Sequence, residues 1–189
     1  MKFCSECGSA ALEFRIPDGD TMVRRVCTAC GAIHYQNPKV VVGCLPLWEE
    51  KVLLCKRAIE PRYGLWTLPA GFLENGETIF AAAARETLEE ARARVEVGPL
   101  YTMISLPHIS QVYVMFRARM LDLDFGAGPE SLEVRLFAED EIPWTEIAFR
   151  TITRTLRNFF LDRKLGTFPT RVSALERRAP REPALLGAG

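Results

Sequence analysis

The sequence has little of what marks several common protein classes. Its formal net charge is zero, because 24 Lys and Arg balance 24 Asp and Glu, and this balance does not favour bulk binding to nucleic acid or to an anionic membrane. The longest strongly apolar stretch, residues 40–48, contains Pro46 and falls far short of the about 20 residues that a membrane-spanning helix needs. The N-terminal residues MKFCSECGSA lack the apolar core of a signal peptide. We therefore expect a cytoplasmic protein without a membrane partner.

The remaining composition is that of an ordinary globular protein. The chain has 189 residues, of which 48% are hydrophobic and 25% are charged. A chain of this length supports one sizeable core and leaves room for a small satellite domain. We therefore look for two units of unequal size.

Four of the six cysteines form two C-x-x-C pairs, Cys4 with Cys7 and Cys27 with Cys30. Without a secretion signal, this spacing indicates thiolates gathered on a metal rather than disulfides. Reduced unpaired cysteines or a redox motif are the alternative. Two such turns present four sulfurs to one tetrahedral zinc ion and leave no open position for water. We therefore expect a structural zinc ion in a ribbon of short strands over residues 1–36.

The chain beyond residue 36 alternates between strand and helix patterns. Strands are expected at residues 39–47, 52–56, 64–71, 100–104, 112–121 and 132–137. Helices are expected at residues 78–91 and 144–161, where apolar residues recur at helical spacing. These elements predict an α+β domain over residues 37–167, with helices packed on a mixed sheet. Prolines after residue 168 predict a flexible C-terminal tail, residues 168–189.

The first of these helices carries three carboxylates on one side. At about 100° per residue, with Thr78 as the N-cap, they lie opposite an apolar stripe. The stripe consists of Phe80, Ala84, Thr87, Leu88 and Ala91, and the carboxylates are Glu86, Glu89 and Glu90. Carboxylates on adjacent turns repel one another by about a few tenths of a kcal/mol per pair. A divalent cation such as Mg²⁺ among them would remove this repulsion, and a solvated acidic surface is the alternative.

The spacing around this helix is more specific than the helix itself. The pattern G-x5-E-x7-R-E-x-x-E-E is filled by Gly71, Glu77, Arg85, Glu86, Glu89 and Glu90. It resembles the box of the Nudix hydrolases, and the likeness covers about residues 37–165. The cysteine-rich segment before it resembles the zinc ribbon of the subgroup that includes NADH pyrophosphatases. The resemblance implies a Nudix-type α/β/α sandwich with a mixed sheet, preceded by a small zinc-ribbon domain.

The resemblance also implies a reaction, the metal-dependent hydrolysis of a pyrophosphate bond in nucleoside diphosphate-linked compounds. Glu86 and Glu90 would bind Mg²⁺ or Mn²⁺, and Glu89 would help to bind the metal or take a proton from water. The metal would neutralise phosphate oxygens and lower the pKa of the attacking water. Glu130, which precedes a late strand, matches a further metal-binding glutamate of related pyrophosphatases, although a solvated loop charge is the alternative.

The other box residues are expected to act structurally. By resemblance, Arg85 pairs with Glu77 and holds the loop against the helix, and Gly71 lets its backbone carbonyl approach the metal. One position departs from the family pattern, because Arg92 stands where a glycine normally ends the helix. Either Arg92 adopts the left-handed conformation that glycine favours, or the helix continues beyond it.

The segment after the box bears on the substrate. NADH pyrophosphatases carry SQPWPFP there, whereas residues 105–111 of this chain read SLPHISQ and lack the aromatic pair. This stretch is similar to a branch of ribbon-bearing Nudix enzymes that act on ADP-ribose and FAD, so we expect those substrates first. Tyr35 matches an aromatic residue that contacts the dinucleotide in NADH pyrophosphatases. The alternative is that it only covers the junction of ribbon and core. His108 contacts a phosphate or ribose in one interpretation and is incidental in the other.

Three other functions stay open at this point. They are NADH or NAD pyrophosphatase activity, processing of NAD-capped RNA, and ligand sensing by a non-catalytic Nudix-type domain. Sensors of that type typically lack box glutamates, and this chain has them all. The basic bias after residue 145 is mild, so we do not expect a nucleic-acid partner. A homodimer is compatible with the resemblance, because related enzymes often complete the substrate site across a dimer.

Overall fold

The structure is a computed structural model that describes residues 1–176. The chain divides into two compact units, Met1–Pro38 and Lys39–Gly189. No helix in the described part of the chain is long and apolar enough to cross a membrane. The two units are described separately.

The N-terminal unit is a small antiparallel sheet. Its strands, in spatial order, are β1 (Leu12–Arg15), β2 (Arg24–Cys27) and β3 (Ile33–His34). Few apolar side chains are buried in it, Val26 being one, and a sheet of this size needs a further source of stability such as a bound metal. Gly8 and Gly31, which each follow a cysteine pair, have φ angles of 72° and 78°. Glycine adopts this left-handed region without a steric cost.

The C-terminal unit is built on one mixed sheet with two helices. Its elements are β4 (Lys39–Trp48), β5 (Lys51–Arg57), β6 (Trp66–Thr67), β7 (Ala70–Phe72), α1 (Ile79–Ala91), β8 (Val95–Leu106), β9 (Gln111–Met120), β10 (Ser131–Phe137), α2 (Arg150–Leu165) and β11 (Arg171–Ala174). The main strand order is β10-β5-β4-β9-β8-β11, with β6 beside β5 and β7 beside β4. The β4–β9 and β8–β11 pairs are parallel and the others are antiparallel.

The two helices cover opposite faces of this sheet. Successive side chains of a strand point to opposite faces, and β4 is buried on both. Val42 and Cys44 pack in a cluster with Ala82 and Ala83 of α1, whereas Leu45 packs in a cluster with the apolar residues of α2. The arrangement is the expected α/β/α sandwich, and it explains why β4 is a nearly continuous apolar run.

The apolar stripe predicted for α1 is wrong at two positions. Phe80 and Leu88 are 52% and 51% exposed. The buried residues of the helix are Ala82, Ala83, Glu86, Thr87, Glu90 and Ala91. Small residues let the helix lie close to the sheet, and this turns two of the carboxylates inward rather than toward solvent.

The second helix begins later than its apolar spacing predicts. Trp144–Glu146 forms a separate 3₁₀ turn, and α2 starts at Arg150. The residues between them are extended because Ile147 bridges to Trp66 and the Ala148 N–H donates to the Trp66 carbonyl at 2.8 Å. Pairing with β6 therefore displaces the start of the helix.

The segment that follows α2 is not the flexible tail that we predicted from residue 168. Residues 171–174 form β11, parallel to β8, and Leu175 is 4% exposed. Arg171 donates to the buried carboxylate of Asp162 in α2, and the same carboxylate accepts a hydrogen bond from the Tyr101 hydroxyl at 2.7 Å. Prolines did not prevent this strand because they lie outside it. The rest of the predicted tail, residues 177–189, lies outside the described residues.

Candidate active site

Helix α1 carries three of the four box glutamates, Glu86, Glu89 and Glu90, and is fixed at both ends. Thr78 is the N-cap, and its hydroxyl accepts a hydrogen bond from the Ala81 N–H at 3.1 Å. Arg92 ends the helix in the left-handed conformation, with φ 50°, and its N–H donates to the Leu88 carbonyl at 2.8 Å. Of the two possibilities at Arg92, the structure therefore shows the left-handed one, which an ordinary residue adopts at a cost of about 1 kcal/mol.

A glycine loop before β10 covers the C-terminal end of α1. The Gly126 N–H donates to the Ala91 carbonyl at 2.9 Å, and the Gly128 N–H donates to the Glu90 carbonyl at 3.0 Å. A Cβ atom at Gly128 would overlap the carbonyl oxygen of Glu89. This close approach satisfies carbonyls that a helix end leaves unpaired, and Glu130 follows two residues later.

Glu86 and Glu90, one helical turn apart, point inward against β7. They are 8% and 7% exposed. The Ala70 N–H donates to Glu90 Oε2 at 3.2 Å. The Glu86 carboxylate lies against the Cα of Gly71, in the space that a Cβ atom would fill. The requirement for glycine at position 71 therefore comes from the Glu86 side chain as well as from the backbone.

These two carboxylates are held in an environment that disfavours their charge. Burial raises the pKa of Glu86, and burial raises the pKa of Glu90 to about 8. The negative charge of Glu130 raises both pKa values further, whereas the guanidinium of Arg57 lowers that of Glu90. Both carboxylates can be ionised at neutral pH once a cation lies among them. Their oxygens are the ligands that Mg²⁺ and Mn²⁺ prefer, so the residues present fit a divalent metal.

Arg85 joins the box loop to the helix. Its Nε and Nη2 donate to the two carboxylate oxygens of Glu77 at 3.1 and 2.7 Å, and Nη2 also donates to the Phe72 carbonyl at 3.2 Å. Its Nη1 donates to Glu86 Oε1 at 2.7 Å and to Glu89 Oε2 at 3.1 Å. The hydrogen bonds from Arg85 lower the pKa of Glu77. One guanidinium thus orients three box glutamates.

The carboxylates face a cavity of about 950 Å³. Glu86, Glu89, Glu90 and Glu130 all line it, as does His108, which lies in the 3₁₀ turn between β8 and β9. The volume lies at the upper end of the about 300–1,000 Å³ range of small-molecule sites. The structure therefore brings the candidate metal ligands and one candidate substrate residue around a single space.

The cavity also contains residues that sequence reasoning missed. Arg57, Arg150, Tyr113 and Phe149 line it, and the Arg57 guanidinium carbon lies 5.1 Å from the centroid of the Phe149 ring. These residues come from β5, β9 and the start of α2, which meet only in the fold. The position of Arg57 at the end of an apolar strand is the one sequence signal that could have suggested it.

Tyr35 lies in the N-terminal unit. It is 65% exposed, and the Arg24 guanidinium carbon lies 5.1 Å from its ring centroid.

The N-terminal unit also brings the four cysteines together, all four Sγ atoms lying within 4.8 Å of one another. The Cys4–Cys30 and Cys7–Cys27 pairs of Sγ atoms are each 3.7 Å apart. A tetrahedron with Zn–S bonds of about 2.3 Å has S–S edges of roughly 3.8 Å, so the four thiolates fit one zinc ion.

Comparison with protein families gives a match for each unit. Residues 2–36 match the zinc-ribbon model Nudix N-terminal, and residues 37–156 match the NUDIX domain. The chain is 30% identical over 115 residues to an ADP-ribose pyrophosphatase of Methanocaldococcus jannaschii, a match that covers 58% of this chain and 67% of that protein. It is 28% identical over 170 residues to the NAD-capped RNA hydrolase NudC of Stutzerimonas stutzeri, a match that covers 87% of this chain. It spans only 58% of that NudC.

Solved structures agree with these matches. The crystal structure of a NUDIX hydrolase from Nitrosomonas europaea is 60% identical, with a TM-score of 0.90, over 94% of this chain and 100% of that one. An ADP-ribose pyrophosphatase from Streptococcus suis has a TM-score of 0.58 over 72% of this chain and 99% of that one. At 20% identity it supports the fold alone. The family matches, the box geometry and the four-cysteine cluster together show that the chain belongs to the Nudix hydrolase family and carries that family's N-terminal zinc-ribbon domain.

Proposed function

We propose that the chain is a metal-dependent pyrophosphohydrolase that cleaves the pyrophosphate bond of nucleoside diphosphate-linked compounds, with ADP-ribose or FAD preferred over NADH. The observation that carries this proposal is the placement of Glu86, Glu89, Glu90 and Glu130 around one cavity that Arg57 also lines. Carboxylates for a divalent cation and a guanidinium for phosphate oxygens are the groups that this chemistry requires.

The metal has a defined role in this proposal. Nudix enzymes use Mg²⁺ or Mn²⁺, and such an ion, when bound, supplies charge for the phosphate oxygens and lowers the pKa of a coordinated water. Glu86 and Glu90 would hold it, because both carboxylates are buried and line the cavity, and a bound cation would favour their charged forms. Glu130, at the edge of the cavity, would complete the set.

Glu89 is the candidate for proton transfer. Its side chain is 57% exposed and accepts a hydrogen bond from Arg85 at 3.1 Å. An exposed carboxylate on the cavity wall can accept a proton from water or bind a second metal ion. In this proposal Gly71, Glu77 and Arg85 do not react, and they hold the carboxylates in position.

Two observations support the substrate class. The cavity is large enough for a substrate with two linked groups, and relatives that match this chain are named as an ADP-ribose pyrophosphatase and as NAD-capped RNA hydrolases. The segment with Leu106 and His108 lacks the aromatic pair of NADH pyrophosphatases, which is why we place NADH after ADP-ribose and FAD. We further propose that His108 contacts the substrate within the cavity, and that Tyr35 provides a stacking surface for a base.

NAD-capped RNA is the second candidate substrate. The NudC relatives favour it, because the match to one of them covers 87% of this chain. Hydrolysis of NAD-capped RNA that falls steeply with salt would indicate a contribution from the RNA backbone. Equal hydrolysis of the free dinucleotide at all salt concentrations would assign the activity to the small molecule. Light scattering of the same preparation tests whether the chain forms the homodimer with which the family resemblance is compatible.

The experiment that tests the proposed activity compares variants at saturating Mg²⁺. Glu86→Gln and Glu90→Gln each remove one charge at nearly constant volume, and each should lower kcat by orders of magnitude. Glu133→Gln is the matched control, because this exposed glutamate lies on β10, three residues after Glu130. Near wild-type turnover in both site variants would refute the catalytic assignment. For the substrate, kcat/KM is measured for ADP-ribose, FAD and NADH, and a clear preference for NADH would overturn our order.

A further inference from the structure

The first turn of α2 forms part of the cavity wall and has polar groups without partners. Thr151 lines the cavity and is 2% exposed, and its Oγ1 has no hydrogen-bond partner among residues 1–176. The N-cap residue, Phe149, provides no side-chain cap. The N–H groups of the first turn of a helix have no acceptor within the helix, and in the described part of the chain residues 150–152 have none outside it either. Arg150 and Thr151, the residues of this turn that line the cavity, therefore have donors without an acceptor in the described part of the chain.

An unpartnered hydroxyl at this depth requires an explanation. A buried hydroxyl without a hydrogen bond destabilises a fold, and most buried polar groups are paired. Valine has nearly the same shape and would fill the position of Thr151 without this cost. A threonine at the wall of a cavity gains its hydrogen bond when a ligand with an acceptor oxygen occupies the space.

The charges around the turn select the kind of ligand. Arg150, the first residue of α2, lines the cavity, and its Nη1 donates to the Glu176 carbonyl at 3.1 Å, which leaves its other N–H groups available. Arg57 lines the same cavity beside Phe149. Two guanidinium groups and the N-terminus of a 16-residue helix together favour an anion.

We propose that the first turn of α2 is a phosphate subsite, formed by the Thr151 hydroxyl, the N–H groups of Arg150 and Thr151 and the Arg150 guanidinium. The subsite rests on the proposed function, in which a substrate with two phosphates enters this cavity. One phosphate lies at the metal held by the α1 carboxylates, and the second accepts hydrogen bonds from α2. In this proposal the carboxylates that line the cavity serve the metal, and the guanidinium groups that line it serve phosphate oxygens.

The C-terminal segment supports the subsite. Glu176 anchors Arg150 through its carbonyl, and Arg154 of α2 donates at 3.2 Å to both the Ser173 hydroxyl and the Ala174 carbonyl. Leu175, between these contacts, lines the cavity. The segment lies beyond residue 156, where the match to the NUDIX domain ends. The position of Arg150 is therefore set by a part of the chain that the box does not include.

The test measures binding of pyrophosphate to the full-length, zinc-loaded protein without Mg²⁺, together with the thermal stability of each variant. Thr151→Val should bind pyrophosphate about tenfold more weakly, because a charge-assisted hydrogen bond is lost. Its Tm without ligand should be equal to or higher than that of the wild type, because an unpaired buried hydroxyl is removed. Thr153→Val is the matched control, because the Thr153 hydroxyl already has a partner and donates to the Phe149 carbonyl at 3.3 Å. This variant should bind pyrophosphate as tightly as the wild type.

The outcomes separate the subsite from the proposed activity. Wild-type affinity in Thr151→Val, or a wild-type protein that does not bind pyrophosphate, would overturn the subsite. A lower Tm with unchanged affinity would also overturn it, because the hydroxyl would then be structural. If binding depends on Thr151 while the wild type hydrolyses none of the substrates, the subsite stands and the proposed function fails. If the wild type hydrolyses a substrate and Thr151→Val binds pyrophosphate as tightly as the wild type, the proposed function stands and the subsite fails.

Discussion

Replacing Glu90 by Gln should stabilise the metal-free protein at neutral pH, although it should abolish activity. The side chain is 7% exposed, and burial raises its pKa from 4.5 to about 8. The fold therefore favours the protonated carboxyl, and its stability falls as pH rises from about 4.5 to about 8. At pH 7 the difference amounts to about 3 kcal/mol, at about 1.4 kcal/mol for each unit between 4.5 and pH 7. Glutamine has no charge to bury, and its amide oxygen can still accept from the Ala70 N–H.

The assay is thermal unfolding followed by tryptophan fluorescence between pH 4.5 and pH 8.5. All three tryptophans, Trp48, Trp66 and Trp144, lie in the C-terminal unit, so the signal reports the domain that contains Glu90. Mg²⁺ is removed by gel filtration rather than by a strong chelator, so that zinc remains. For a domain of this size, about 3 kcal/mol corresponds to a rise of roughly 6–12 °C in Tm at pH 7. The difference between Glu90→Gln and the wild type should disappear near pH 4.5.

Glu89→Gln provides the control, because its side chain lies on the same helix and is 57% exposed. It should shift Tm little at any pH. Adding Mg²⁺ should raise the Tm of the wild type more than that of Glu90→Gln, since a ligand that binds only the folded state stabilises it. A wild-type stability that stays flat from pH 5 to pH 8, or a Glu90→Gln variant that is less stable than the wild type at pH 7, would refute the reasoning.

Three further predictions concern the zinc site, the box and the C-terminal strand. Elemental analysis should find one zinc ion per chain, and Cys27→Ser should lose it and unfold the N-terminal unit, whereas Cys55→Ser should retain it; freshly purified protein without stoichiometric zinc would contradict the site. Gly71→Ala should lower kcat at least tenfold with little loss of stability, because its Cβ would displace the Glu86 carboxylate; wild-type kinetics would show that the contact is unimportant. Asp162→Asn should cost about 2 kcal/mol in urea unfolding, because Arg171 and Tyr101 lose a charged acceptor. An effect no larger than that of the exposed control Asp140→Asn would contradict a stabilising role for the contacts of Asp162 with Arg171 and Tyr101.

The family and the zinc ribbon could both be predicted from short sequence motifs. The order of Gly71, Glu77, Arg85 and the three glutamates of α1 predicted the Nudix resemblance, and the family comparison confirms it. The paired cysteines predicted the ribbon in the same way. Motifs of this kind can be recognised from the sequence because their chemistry needs fixed residue types at fixed spacing. Local helix or turn geometry is enough to bring these residues together.

Periodicity was less informative about which side of α1 is buried. It placed Phe80 and Leu88 in the core and the glutamates outside, whereas Glu86 and Glu90 are buried and the two apolar residues are half exposed. A hydrophobic pattern assigns burial by transfer free energy, and it takes no account of the proposed metal site, which would make buried carboxylates acceptable. The error therefore occurred at the residues of the proposed metal site.

The sequence by itself determined the elements whose cause is local. These are the N-cap at Thr78, the cysteine turns, the strand patterns of the central sheet and the spacing of the box. Only the tertiary structure decided the start of α2, which pairing with Trp66 delays, and the order of residues 168–176, which the contact between Arg171 and Asp162 holds beside β8. It also decided that Arg57 and Thr151 share one cavity with the α1 carboxylates. Contacts between distant segments have no signature in either segment alone, because the free energy that selects them exists only when both are packed.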